Sequence, residues 1–94
     1  MWWTESLGRI ELNITKAQAR RGYHHGACDA DIAQLVKEPA IRRQLAKLDR
    51  AVVREALRET GGWNAQELAD DTLNLERLLW IACGDIVETL NQGE

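Results

Sequence analysis

Residues 71–90 read Asp71-Thr72-Leu73-Asn74-Leu75-Glu76-Arg77-Leu78-Leu79-Trp80-Ile81-Ala82-Cys83-Gly84-Asp85-Ile86-Val87-Glu88-Thr89-Leu90. Within them Leu75, Leu78, Leu79, Ala82, Ile86 and Leu90 recur at the spacing that lines one face of an α-helix. No proline interrupts the run, which predicts the longest helix of the chain. Gly84 lies inside it, where a missing side chain lets a neighbouring element approach closely. Trp80 is read as a core residue of this helix.

Working outward, Asp70 or Asp71 can cap that helix, because the first backbone N–H groups of a helix lack internal partners. Asn64-Ala65-Gln66-Glu67 has the form of a capping box and predicts a short helix to about Ala69. Gly61-Gly62 ends the segment before it. From Pro39 to about Thr60, Ile41, Leu45, Leu48, Val52 and Ala56 step by 4, 3, 4 and 4, one buried stripe if the segment is a single helix. Asp49 is equally suited to cap a new helix, so a break near residues 48–49 stays open. Pro39 stops the preceding helix and is well placed as the first residue of the next. That preceding helix begins at Cys28 or Asp29, carries Asp31 in its first turn and turns Ile32, Leu35 and Val36 inward.

Thr15 can cap a short helix through Lys16–Arg21, with Gly22 expected in the left-handed position that closes it. Ile10, Leu12 and Ile14 alternate with Glu11, Asn13 and Thr15, the pattern of a half-buried strand. With no second strand in view, residues 1–12 are expected to form an extended arm that Trp2 and Trp3 anchor to the core. Pairing of this arm with a second copy stays open. The expected fold is all-α: a compact bundle of four to five helices in one domain over residues 1–94, with a short extended N-terminal arm.

Composition agrees. The 94 residues hold 1 Pro and no Phe, with 45% hydrophobic and 29% charged residues, which are globular values. No apolar run approaches the roughly 18 residues of a membrane span, and the N-terminus lacks a signal-peptide pattern, so a cytoplasmic protein is expected. Cys28 and Cys83 are read as reduced thiols. The net charge of −3 is unevenly spread. Residues 1–48 carry 8 Lys/Arg against 5 Asp/Glu, whereas residues 49–94 carry 4 against 10.

No catalytic constellation is visible. His24 and His25 are the only histidines, no phosphate-binding glycine loop is present, and Asp29 and Asp31 diverge on a helix. A non-enzymatic role is expected, without cofactor. His24, His25 and Cys28 resemble metal chemistry, but three donors fall short of the four that zinc takes, unless Cys83 joins them. Capping of the following helix accounts for them as well, so no metal is assigned.

Two charged sets are the candidate contacts for a protein partner. Arg43, Lys47, Arg50, Arg54 and Arg58 step by 4, 3, 4 and 4 and form one basic stripe if residues 39–60 are one helix. Such a stripe could meet phosphates or an acidic surface, or could simply be a solvated face with Glu55 pairing Arg58. Glu67, Asp70, Asp71 and Glu76 form an acidic set that could occupy a basic groove, or could cap helices. The helix-turn-helix outline of residues 56–80 carries the wrong charge for a major-groove reader, so direct nucleic-acid binding is not expected. Trp63 is read as core or as a partner anchor projecting from its turn.

A longer pattern runs through residues 22–88. It reads His24-x-Gly26-x-Cys28-Asp29-x-Asp31-Ile32, Pro39-x-Ile41-x-x-Gln44-Leu45, Gly62-Trp63-x-x-x-Glu67-Leu68, and Asn74-x-x-Arg77-x-x-Trp80-Ile81-Ala82-x-Gly84-Asp85-Ile86. This resembles small helical accessory proteins of tailed phages and prophages. The resemblance supplies no catalytic residues. It implies a setting in the bacterial host cell and a role in stoichiometric binding of a host protein or nucleoprotein complex. Anti-CRISPR proteins, inhibitors of a host defence complex, are similar in size and acidity. The rival expectations are a sequestering module for a small ligand or metal, and a nucleic-acid regulator using the basic stripe. A homodimer formed through the arm also stays open.

Overall fold

A computed structural model describes residues 2–3, 10, 12–23 and 29–93, of which residues 2, 3, 29, 30, 60, 61 and 93 are described by backbone alone. His24, His25 and Cys28 lie outside the described residues, as do the side chains of Trp2 and Trp3. The described chain is an all-α bundle: α1 (Lys16–Gly22), α2 (Asp29–Val36), α3 (Pro39–Ala46), α4 (Arg50–Gly61) and α5 (Asp71–Gly93), with a one-turn 3-10 helix at Glu67–Ala69. α5, 23 residues long, should measure about 34 Å at 1.5 Å per residue. It nearly spans the 37 Å long axis of the molecule and packs against α1, α2 and α4.

The arm departs from expectation in one respect. Leu12–Asn13 (β2) pairs antiparallel with Trp2–Trp3 (β1), Trp3 opposite Leu12 and Trp2 opposite Asn13, so the strand has a partner in its own chain. The period-2 reading holds: Ile10, Leu12 and Ile14 are buried and Asn13 is exposed. Gln44 of α3 ties the arm down. The Asn13 N–H donates to Gln44 Oε1 at 2.6 Å and Gln44 Nε2 donates to the Asn13 carbonyl at 2.9 Å. One side-chain amide thus satisfies both backbone groups of Asn13, as a neighbouring strand would.

Local caps set the helix starts. Thr15 and Gln18 form a full capping box on α1. Pro39 is the first residue of α3, and Asp49 Oδ1 accepts from the N–H groups of Ala51 and Val52 to start α4. Residues 39–60 are therefore two helices. The break re-phases the apolar face: Ile41, Leu45 and Ala56 are buried as read, but the fully buried residues of α4 are Val53 and Leu57, and Leu48 and Val52 are only half-buried. Gly62 closes α4 with φ +73°, the left-handed conformation that glycine adopts without steric penalty.

Gly22 does not play that part. It is the last residue of α1, and the turn beyond it is made by Tyr23 at φ −135°. What Gly22 supplies is room: a Cβ there would lie 2.9 Å from both Cys83 Sγ and Leu35 Cδ2. Gly84 does the same on α5, where a Cβ would meet the Tyr23 ring at 3.2 Å. Two glycines thus set the separations of α1 from α2 and α5. The α5 stripe holds, with Leu78, Leu79, Ala82 and Ile86 buried and Leu75 and Leu90 half-buried.

Candidate functional site

The two charged sets, read as separate surfaces, meet in the fold. Asp71 in the first turn of α5 accepts from Arg54 of α4 at 3.0 Å and lies 3.8 Å from Arg50. Asp70 Oδ1 accepts from the Leu73 N–H at 3.1 Å, which makes it the N-cap of α5. Glu67 Oε1 accepts from the Asn64 N–H and the Glu67 N–H donates to Asn64 Oδ1, the reciprocal capping box. Arg58 pairs with Glu55 one turn before it. Arg43 lies on α3 and Lys47 caps its C-terminus, so the basic stripe is split at the α3–α4 corner. Of the acidic set, Glu76 alone has no such role among the described residues; it is half-buried on α5.

Beside this joint lies a polar knot. Asn74, 1% exposed, is the buried polar residue of the core among the described residues. Its Nδ2 donates to the Leu68 carbonyl at 2.9 Å, and its Oδ1 accepts from Arg77 Nη1 at 3.1 Å. The same Arg77 nitrogen donates to the Glu67 carbonyl at 2.8 Å, and the guanidinium carbon sits 5.3 Å from the centre of the half-buried Trp63 ring. Trp63 is therefore an internal platform for Arg77, with the 3-10 turn and α5 locked by one amide and one guanidinium. Among the described residues no buried side-chain polar atom is left without a partner.

The outer face of α5 is different. Among the described residues, Leu73 and Trp80 are the exposed large hydrophobic ones, at 39% and 38%. Seven residues apart, they lie on one side of the helix, about 10 Å apart along its axis. Trp80 was read as core and is not: it lies about 160° round the helix from Ala82, the centre of the buried stripe. Helical phase alone could have found it. Beside Trp80 is an open groove of about 270 Å³ lined by Tyr23, Trp80, Ile81, Gly84, Asp85 and Glu88. Gly84 permits the groove, because any side chain there would push the Tyr23 ring away.

A second hollow, about 470 Å³, opens between α1 and α2 and is lined by Arg20, Arg21, Asp31, Gln34, Leu35 and Glu38. Arg21 already grips both Glu38 oxygens, at 2.9 and 3.0 Å, and Gln18 Nε2 donates to the same carboxylate. That charge pair is closed on itself. Cys83 is fully buried, and burial pushes its thiol up to about 12, which keeps it neutral and poor as a metal ligand. Among the described residues no group of three or more His, Cys, Asp or Glu side chains is arranged to hold a metal ion. No described helix is long and apolar enough to cross a membrane.

No protein-family model, no curated protein and no solved structure matches this chain.

Proposed function

We propose that this protein acts by stoichiometric protein–protein binding, as a phage or prophage accessory protein that occupies a host protein or nucleoprotein complex and inhibits it, in the manner of an anti-CRISPR protein. The observation that carries the binding reading is the outer face of α5, where Leu73 and Trp80 stand exposed two turns apart. Solvent-exposed large apolar residues grouped on one face mark interaction surfaces, and tryptophan is among the residues that dominate interface energetics. Glu76, between them on the same helix, adds charge to the rim. The defence-inhibitor setting is supported by the sequence pattern of residues 22–88.

Affinity capture from a nuclease-treated bacterial lysate tests this reading. The wild-type protein should retain one host complex, and Leu73→Lys and Trp80→Gln should each release it while keeping wild-type helix content. Retention by both variants would place the interface elsewhere, and a wild-type protein that captures nothing after nuclease treatment would refute protein binding.

A further inference from the structure

The outer face of α3 carries a concentration of charge that the α5 surface does not explain, and we infer that it docks on the phosphate backbone of a nucleic-acid duplex. This goes beyond the binding reading above and stands on different residues, so either can fail alone. Ile41 and Leu45 turn one side of α3 into the core. Arg43 lies about 180° round the helix from the midpoint of that pair, and Lys47 follows one turn on, about 6 Å along the axis. Arg42 flanks them. All three are exposed, and the remaining outward positions are Pro39, Ala40 and Ala46, exposed as well. Between cations, short side chains leave nothing bulky to hold a polyanion away from the helix.

Folding leaves this charge unspent. Residues 39–48 contain no Asp or Glu, and the two acids that bracket them are committed elsewhere. Glu38 is held by Arg21 and Gln18, and Asp49 caps α4. Among the described residues, no acidic side chain pairs with Arg42, Arg43 or Lys47. On α4, by contrast, Arg54 pairs with Asp71 and Arg58 with Glu55. The basic stripe of the sequence therefore divides into a neutralised half on α4 and an open half on α3.

The chemistry of the face selects its occupant. A protein interface buries apolar side chains at its centre, and among the described residues α3 exposes no large hydrophobic one. The same composition gives a membrane surface nothing to take up. Residues 39–48 hold no aromatic ring on which the bases of a single strand could stack. Gln44, the one amide of α3, is occupied by both backbone groups of Asn13, so α3 has no free amide to read an adenine edge. What the face offers is contact to phosphates, which arginine and lysine make without regard to sequence.

The test uses the full-length protein and a short fluorescein-labelled DNA duplex of mixed sequence, with binding followed by fluorescence anisotropy as salt is raised. Three phosphate contacts predict a slope of about −2.7 in log affinity against log salt, a loss of about fortyfold between about 50 and 200 mM. Arg43→Gln and Lys47→Gln should each reduce that slope by about 0.9, and a duplex of unrelated sequence should bind equally well. Arg58→Gln removes the same charge from a paired site on α4 and should leave the slope unchanged. An RNA duplex of the same sequence distinguishes the two sources of the backbone, the tighter binder naming the source. No binding of either duplex at low salt, or equal losses in Arg43→Gln and Arg58→Gln, overturns the assignment. Competition by polyglutamate as strong as that by unlabelled duplex would assign the face to an acidic protein instead, and overturns it too. Capture of a host complex through Leu73 and Trp80 is scored separately, so failure of one reading leaves the other standing.

Discussion

Replacing Gly22 with alanine gives a sharp test of how the helices sit. On local grounds the change should help, because alanine is favoured over glycine within a helix by roughly 0.5–1 kcal/mol. The packing says otherwise. The new methyl would stand 2.9 Å from Cys83 Sγ and from Leu35 Cδ2, and 3.4 Å from Ile32 Cδ1. Three elements would have to give at a point where α1, α2 and α5 meet, and overpacking of this kind costs about 1–3 kcal/mol. Net destabilisation of about 1–2 kcal/mol is expected. At about 4–8 °C per kcal/mol for a domain of this size, the Tm should fall by about 4–16 °C. Urea denaturation followed by circular dichroism measures the same quantity. The diagnostic is a double-mutant cycle: Cys83→Ala removes one of the two closest atoms, so it should recover about 1 kcal/mol in the Gly22→Ala background beyond its own effect. Gly62→Ala is the contrast. It should cost about 1 kcal/mol through its left-handed backbone alone, and nothing lies within 4 Å to couple with it. Gly22→Ala at or above wild-type stability, or strict additivity with Cys83→Ala, would refute the helix separation described above.

Three further outcomes are expected. Asn74→Leu should destabilise by about 1–3 kcal/mol in urea unfolding, because it strands the Leu68 carbonyl and one Arg77 donor at a buried site. Arg54→Ala should cost less than about 1 kcal/mol, since its partner Asp71 is a surface group that retains Arg50 nearby; a loss above 2 kcal/mol would mean that the ion pair holds α4 to α5. Cys83 should add a pH dependence at the alkaline end. Its folded-state thiol ionises near 12 against 9.0 unfolded, so the unfolded state loses its proton first and stability falls as pH rises from 9 towards 12. Comparison with Cys83→Ala isolates the effect, and parallel stability curves for the two proteins between pH 9 and 11 would remove it.

The legible part of this fold is the part fixed by neighbours in sequence. Thr15, Asp49, Asp70 and the Asn64–Glu67 box act on N–H groups two or three residues away, and each does in the structure what its type and position suggest. The illegible part depends on contacts across the chain. A glycine at a helix end reads as a turn former, and only the proximity of Cys83 and Leu35 shows that Gly22 is there for its small volume. Val53 and Leu57 escaped because the apolar stripe was extended through Leu48 and Val52 as though no break intervened; once Asp49 starts a new helix the buried phase restarts. The hold of Gln44 on Asn13, 31 residues away, leaves no local trace at all. Trp80 is a different case: its phase on α5 is legible from spacing, and only the general tendency of tryptophan to be buried points the other way.

The charged candidates show why a surface cannot be read from charge alone. In sequence the acidic residues from Glu67 to Glu88 form one negative half of the molecule, and the arginines of residues 43–58 form one positive stripe. Folding divides both. Where α4 and α5 start side by side, Asp71 meets Arg54 and Arg50, and Asp70 and Glu67 are spent on backbone N–H groups. A partner binding there would have to displace contacts that already satisfy these carboxylates, so little net attraction is left to gain. The surface that a partner can bury without displacing these ion pairs and caps is the apolar face of Leu73 and Trp80.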